Sequence, residues 1–142
     1  MDRLLEFAAN HPILVSSAVF LTIVTLGNEV RMASRRNIDL DPQSAVRLIN
    51  AGATVIDVRS FERYQSGHII NARHIPMDEL ADQAPRKLGA LKDQPVVVYD
   101  ENGAASASAV GILRGLAFAQ VVNLKGGLVA WMRDNFPIEK GK

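Results

Sequence analysis

The chain has 142 residues, of which 48 % are hydrophobic and 22 % are charged, as expected for one globular domain of ordinary size rather than a disordered chain. A formal net charge of +1, with no basic cluster among aromatic residues, argues against nucleic-acid binding. The chain has no cysteine, which excludes disulfides, zinc–thiolate sites and thiol catalysis. We predict neither a metal site nor another cofactor.

The first predicted element is an apolar helix within an N-terminal anchor of residues 1–30. Residues 13–26 carry no charge, and residues 7–27 together reach the roughly 20 residues that a bilayer span needs. We therefore predict one transmembrane helix over about residues 7–27. One alternative is a buried amphipathic helix, but the run has no polar face at helical periodicity. A cleaved signal peptide is the other alternative.

Basic residues flank this helix unequally. Arg31, Arg35 and Arg36 follow the apolar run, whereas only Arg3 precedes it. This asymmetry argues against a signal peptide. By the positive-inside rule it also places the C-terminal side of the helix in the cytoplasm.

The rest of the chain alternates between predicted helices and strands after a juxtamembrane linker of residues 31–39. A domain over residues 40–138 and a tail over residues 139–142 complete the predicted organisation. The predicted elements are a helix from Asp41-Pro42 to about Gly52, a strand over 54–58, a short helix over 60–67, an extended stretch within 68–76, a helix over 77–91 that Pro85 divides, a strand over 96–99, a helix over 106–116 in which Gly111 allows close packing, a strand over 121–124 and a helix over 128–135. Such alternation predicts an α/β fold, with a parallel sheet flanked by helices.

The loop that follows the strand Val96–Tyr99 is the candidate site. A strand–loop–helix junction presents backbone N–H groups and a helix N-terminus to a ligand. The loop contains no Lys, Arg, Cys or His, and its residues are Asp100, Glu101, Asn102, Gly103, Ala104, Ala105 and Ser106. It therefore places two carboxylates where an α/β fold ordinarily receives anions.

Three separated motifs occur in one order: Ile56-Asp57-Val58-Arg59 with Gly67-His68-Ile69; Pro95–Tyr99 with the loop that contains Gly103 and Ser106; and Leu124-Lys125-Gly126-Gly127 with Trp131. Their order and spacing resemble the rhodanese-like domain family over about residues 40–138. An N-terminal anchor joined to one such domain further resembles the membrane-anchored, single-domain members found in Gram-negative bacteria. This resemblance implies a rhodanese-like fold and a place in the bacterial inner membrane, with the domain facing the cytoplasm.

The resemblance also locates the family's catalytic positions. Active members carry sulfane sulfur as a persulfide on a cysteine at the start of the loop, and an arginine late in the loop commonly binds anionic substrates. Here Asp100 stands at the cysteine position and Ala105 at the arginine position. Because a carboxylate cannot form a persulfide, no catalytic residue is expected and residues 100–106 form a vestigial loop.

Three residues near the loop are predicted to be structural: Asp57, Arg59 and His68. Arg59 is expected to pair with Asp57 or Glu62, and His68 is expected to form structural hydrogen bonds. An alternative gives Asp100 a role as a phosphoryl-accepting nucleophile beside Mg²⁺, with Asp57 as the second carboxylate.

The leading functional hypothesis is a membrane-tethered, catalytically inactive binding or regulatory module. The acidic loop then predicts a membrane or cytoplasmic protein partner with a basic patch. The alternatives are an enzyme, either a sulfurtransferase in the broad sense or an Asp-dependent phosphoryl-transfer enzyme, and an inert fold retained for stability or oligomerisation.

Overall fold

The structure is a computed structural model that describes residue 7 and residues 9–36 and 38–141. Residues 1–6 and 8 of the predicted anchor, Asn37 of the predicted linker and Lys142 of the predicted tail lie outside the described residues. The chain divides into two compact units, with the boundary between Asn37 and Ile38.

The N-terminal unit contains one long helix, α1 (Pro12–Arg36). Its segment Pro12–Val30 has the length and apolar composition of a helix that could cross a membrane, as a membrane anchor or a signal sequence would. Within this segment the hydroxyls donate to carbonyls four residues earlier, so the helix itself satisfies them: Ser16, Ser17, Thr22 and Thr25. The helix continues through residues 31–36, which were predicted to be a linker, because no glycine or proline interrupts that stretch.

The second unit alternates strands and helices as predicted. Its elements are β1 (Asp39–Leu40), α2 (Pro42–Asn50), β2 (Thr54–Asp57), α3 (Phe61–Ser66), β3 (His68–Ile69), β4 (Arg73–His74), α4 (Leu80–Leu88), β5 (Pro95–Tyr99), α5 (Ala104–Gly115), β6 (Gln120–Leu124), α6 (Gly127–Arg133) and β7 (Ile138–Glu139). Short 3₁₀ turns at Met77–Glu79 and Gly89–Leu91 flank α4. The start of α2 follows the sequence signal: Pro42 is its first residue, and the Asp41 carboxylate accepts a hydrogen bond from the Ser44 N–H.

Five strands form a parallel sheet in the order β1-β6-β5-β2-β4. Side chains alternate along β5, so Val96 and Val98 pack against α4 and α5 in one apolar core, whereas Val97 and Tyr99 belong to the second core with Trp131. Burial on both faces explains why β5 reads as an unbroken apolar run. The predicted α/β fold is confirmed.

Four local expectations differ from the structure. The edge strand β1 was not predicted, because two residues are too short to show a periodic pattern. Pro85 does not divide its helix: Leu80, Ala84 and Leu88 are buried one turn apart and hold α4 on the core, while Pro85 is exposed.

Gly111 does not provide close packing, since a Cβ placed there would meet nothing within 4 Å. The fourth difference concerns Glu139, which was placed in the tail. It lies in β7, which pairs antiparallel with β3 in a separate two-stranded sheet.

Candidate functional site

The loop 100–103 lies at the carboxyl end of β5, between the carboxyl ends of β2 and β6. Because these three strands are parallel neighbours, Asp57 at the end of β2 and Asn123 near the end of β6 flank the loop. Gly103 ends the loop at φ +86°, and a Cβ there would lie 2.9 Å from the Gly126 nitrogen. The junction is therefore built for a glycine, as its backbone conformation and close approach both require.

The carboxylate of Asp100 points into the loop rather than into solvent. It accepts hydrogen bonds from the N–H groups of Gly103 at 2.6 Å and Ala105 at 3.1 Å, and it lies 2.7 Å from the Ser106 hydroxyl. Asp100 is only 8 % exposed. The backbone N–H groups that make such a loop an anion cradle are thus occupied by the loop's own carboxylate.

A buried polar network continues from Ser106 to the far edge of the sheet. The Ser106 hydroxyl also lies 2.5 Å from the Asn123 Oδ1 atom, and the Asn123 amide nitrogen donates to the Gly103 carbonyl at 3.0 Å and to the Asp39 Oδ1 atom at 2.8 Å. Asn123 is buried and joins the loop to the edge strand β1. Neither Asn123 nor Asp39 was predicted from the sequence, since 84 residues separate them and neither belongs to a motif by itself.

A second polar cluster surrounds Arg59. Its Nη2 and Nε atoms contact the Asp57 carboxylate at 2.7 and 3.1 Å, and Nη2 also donates to the Gly67 carbonyl at 2.6 Å. Asp57 is 0 % exposed, so this is a buried ion pair. Burial acts to lower the pKa of Arg59, but the hydrogen bonds and negative charge of Asp57, with a further contribution from Glu101, outweigh it and raise the pKa.

Glu101 is the second carboxylate of the loop, and two arginines bind it. Its Oε2 atom lies 3.1 Å from the Arg59 Nη1 atom and 3.3 Å from the Arg63 Nη1 atom. Asp57 and Glu62 were the two partners expected for Arg59. In the structure Arg59 forms ion pairs with Asp57, rather than Glu62, and with Glu101. Glu101 was not predicted as a partner because it follows 42 residues later in the chain.

His68 lies away from solvent and contacts α3 and β7. Its Nδ1 atom is 2.8 Å from the Tyr64 carbonyl, its ring stacks on the Tyr64 ring at 3.8 Å, and its Nε2 atom is 3.3 Å from Glu139. His74 lies half-buried in β4, with Nε2 2.7 Å from the Arg59 carbonyl. Both histidines thus take part in packing around the Arg59 cluster.

The magnesium alternative meets an obstacle in this geometry. Both oxygens of Asp57 contact Arg59, and both oxygens of Asp100 accept hydrogen bonds within the loop. Over residues 38–141, no group of three or more His, Asp or Glu side chains is arranged to hold a metal ion. The two carboxylates that phosphoryl transfer would need are therefore engaged elsewhere.

Replacing Asn123 by leucine is expected to lower the free energy of unfolding by about 2 kcal/mol, because buried Ser106 and the Gly103 carbonyl lose a hydrogen-bonding partner. The control is Gln120→Leu, which makes the same kind of change at an exposed position of β6. Denaturant unfolding followed by fluorescence of Trp131, the only tryptophan, measures both variants. Equal stability of the two variants would contradict a structural role for the network.

Comparison with known proteins agrees with the fold and the motifs. The profile of the Rhodanese-like domain matches residues 41–134. The chain is 29 % identical to the Uncharacterized protein YibN of Escherichia coli strain K12 over the whole of both chains. It is also 36 % identical over 100 residues to the Thiosulfate sulfurtransferase GlpE of Ectopseudomonas mendocina, which covers 70 % of this chain and 88 % of that one.

Among solved structures, the crystal structure of the Alr3790 protein from Anabaena matches with a TM-score of 0.66 and 32 % identity, over 72 % of this chain and 80 % of that chain. The resemblance read from the three motifs is thereby confirmed. The chain belongs to the family of rhodanese-like domains.

Proposed function

We propose that this chain is a non-catalytic rhodanese-like domain that an N-terminal helix holds at a membrane. One observation carries the non-catalytic part: the Asp100 carboxylate occupies the N–H cradle of the loop. In the family this position belongs to the cysteine that carries sulfur. Here the position holds a group that neither attacks thiosulfate nor leaves room for it.

Chemistry supports the same proposal from the side of the nucleophile. Sulfane-sulfur transfer needs a soft nucleophile that forms a bond to sulfur and later releases it, and a thiolate does this whereas a carboxylate does not. The chain has no cysteine that could take over the role. The position that resembles the family's substrate-binding arginine is Ala105, so the loop also lacks that cation.

Membrane attachment is supported by the N-terminal unit. The segment Pro12–Val30 of α1 is long and apolar enough to span a bilayer, and its hydroxyls are bonded within the helix. The basic residues of 31–36 lie on its C-terminal side, which favours a cytoplasmic domain. We propose an anchor in the inner membrane rather than a cleaved signal. Protease treatment of sealed, inverted inner-membrane vesicles tests the orientation, because their cytoplasmic face points outwards and a cytoplasmic C-terminal domain should be digested.

A tethered domain that performs no chemistry acts through what it binds. Attachment to a membrane raises its effective concentration for other proteins there. We place the binding surface at the mouth of the loop 100–106. The partner with a basic patch that the sequence suggested would have to bind Glu101, because Asp100 is turned inward.

In a thiosulfate:cyanide sulfurtransferase assay, we expect the full chain in uncharged detergent to be inactive. The variant Asp100→Cys is expected to gain weak turnover, because the thiolate would then lie against the N–H groups of Gly103 and Ala105. A second change, Ala105→Arg, should raise that turnover further.

The matched control is Asp100→Ser, which removes the carboxylate without supplying a thiol and should stay inactive. Turnover by the wild-type chain would contradict the proposal, since sulfur would then move without a cysteine. An inactive Asp100→Cys variant would instead mean that the loop no longer forms a functional cradle.

A further inference from the structure

The mouth of the vestigial loop opens into a cleft of about 440 Å³. The cleft lies between α3, the loop and α6, and its lining includes Arg59, Arg63, Ser66, Glu101, Leu128 and Met132. The residues that face this space can therefore contact a partner without any rearrangement of the sheet.

Among the charged side chains that line this cleft, that of Arg63 is the most exposed. The Arg63 side chain is 63 % exposed, whereas that of Glu101 is 38 % exposed and has one carboxylate oxygen bound by both Arg59 and Arg63. Arg59 is buried beneath them, with its other N–H groups directed to Asp57 and Gly67. An approaching charged group therefore meets the guanidinium of Arg63 first.

An apolar stripe on α6 starts at Met132, which lines the cleft, and continues to Val129, which lies outside the cleft lining. Val129 and Met132 lie three residues apart, so they share one helix face, and both are exposed. Leu128, which is buried, also lines the cleft. Methionine and arginine are enriched at protein interfaces, and exposed apolar groups beside a cleft mark such surfaces more often than isolated ones do.

Glu101 shows which group the cleft accommodates. Its carboxylate already lies between two guanidinium groups, at 3.1 and 3.3 Å, and it comes from a partly exposed side chain that can turn towards solvent. A carboxylate from another chain can take the same place, because arginine binds carboxylates through several N–H groups in a fixed geometry.

We infer that the cleft binds an acidic side chain of a partner protein, held by Arg63, with an apolar neighbour of that acid on Val129 and Met132. This inference rests on the proposed binding function and adds the chemistry of the partner. Glu101 acts as the internal occupant that the partner displaces. This partner is acidic, whereas the partner that the sequence suggested is basic. An acidic partner displaces the Glu101 carboxylate from the arginines, whereas a basic partner binds that carboxylate.

Two libraries of dodecapeptides test directly whether the cleft prefers an acidic or a basic partner. They are identical except that the central residue is Glu in one and Lys in the other, with Phe, Leu or Val on either side. Binding to the full chain in uncharged detergent is measured by fluorescence anisotropy. We expect the Glu-centred library to bind at least about threefold more tightly, and Arg63→Glu to reverse that preference.

Glu101→Gln separates the two kinds of partner most sharply. It should tighten binding of the Glu-centred library about twofold to fivefold, because the competing carboxylate is removed, whereas a basic partner would bind more weakly. The control for Arg63→Glu is Arg86→Glu, which makes the same charge change at an exposed position of α4 and should alter nothing.

Preference for the Lys-centred library, with weaker binding after Glu101→Gln, would overturn the inference and favour a basic partner. Equal binding by wild type and by the variant Val129→Asp/Met132→Asp would also overturn it, since the apolar stripe would then play no part. Neither result bears on the absence of catalysis, which the sulfurtransferase assay tests separately.

Discussion

Replacing Arg59 by methionine is expected to lower the free energy of unfolding by about 3–5 kcal/mol. The methionine keeps much of the apolar stem of arginine but removes the guanidinium. Asp57 is then left without its guanidinium partner at a position that is 0 % exposed. An unpaired buried carboxylate is costly because neither water nor a cation remains to solvate it.

The position of Arg59 adds to this effect. Its guanidinium joins Asp57 to the Gly67 carbonyl and to Glu101, so three segments of the site lose a common partner when it is removed. The Tyr99 ring also lies under it, 5.7 Å from the guanidinium carbon. Unfolding of the full chain in guanidinium chloride, followed by Trp131 fluorescence, measures the change.

The matched control is Arg63→Met. This variant removes the other guanidinium bound to Glu101, but from an exposed side chain, so we expect a loss of less than about 1 kcal/mol. Adding Asp57→Asn to Arg59→Met should recover part of the stability, because the buried charge is then gone. A loss for Arg59→Met no larger than that for Arg63→Met would contradict the importance of burial.

The sequence predicted the architecture because its signals are local. The continuous apolar run Val96–Tyr99, the Asp41-Pro42 helix start and the spacing of strands and helices each fall within a few residues. These patterns are enough for a parallel sheet covered on both faces. The paired glycines and Trp131, read together with the other two motifs, then identified the family.

The electrostatics of the site could not be read in the same way. Two successive acids, Asp100 and Glu101, indicated a negatively charged loop, but the sequence does not show where a side chain points. In the structure one carboxylate turns inward to backbone N–H groups and the other meets Arg59 and Arg63 from a distant segment. Contacts between residues that are far apart in the sequence depend on the fold as a whole. The hydrogen bond between Asn123 and Asp39 is another such contact.

These contacts hold the loop from several sides. The Asp100 carboxylate accepts a hydrogen bond from the Gly103 N–H, and the Asn123 side chain donates one to the Gly103 carbonyl. The backbone carbonyls of Asp100 and Glu101 accept hydrogen bonds from the first turn of α6. A loop so restrained presents one fixed surface. This property suits a binding module better than a site that must open and close around a substrate.

Replacing Gly127, the first residue of α6, by alanine is expected to lower the free energy of unfolding by about 2–4 kcal/mol. Both the left-handed backbone at this position and steric overlap of the added methyl group contribute to the loss. Gly127 has φ +59°, and a Cβ there would lie 2.5 Å from the Asp100 carbonyl oxygen and 2.6 Å from the Asn102 nitrogen. Because both neighbours are backbone atoms, no side chain can move aside to relieve the overlap.

The site of Gly127 makes this more than a loss of stability. Its neighbours Leu128 and Val129 donate to the Asp100 and Glu101 carbonyls at 2.9 and 3.1 Å, and a shift of the loop away from a new methyl group would break both bonds. In the Asp100→Cys background, Gly127→Ala should therefore abolish any sulfurtransferase activity gained, even at temperatures where the variant remains folded.

Gly111→Ala in α5 is the matched control, because it adds the same methyl group to a helix where nothing lies within 4 Å. It should raise the free energy of unfolding by about 0.5–1 kcal/mol, since alanine favours a helix more than glycine does. Unfolding followed by Trp131 fluorescence compares the two variants. If Gly127→Ala were as stable as Gly111→Ala, the loop would have room to move, and the self-filled cradle would be one of several conformations rather than the only one.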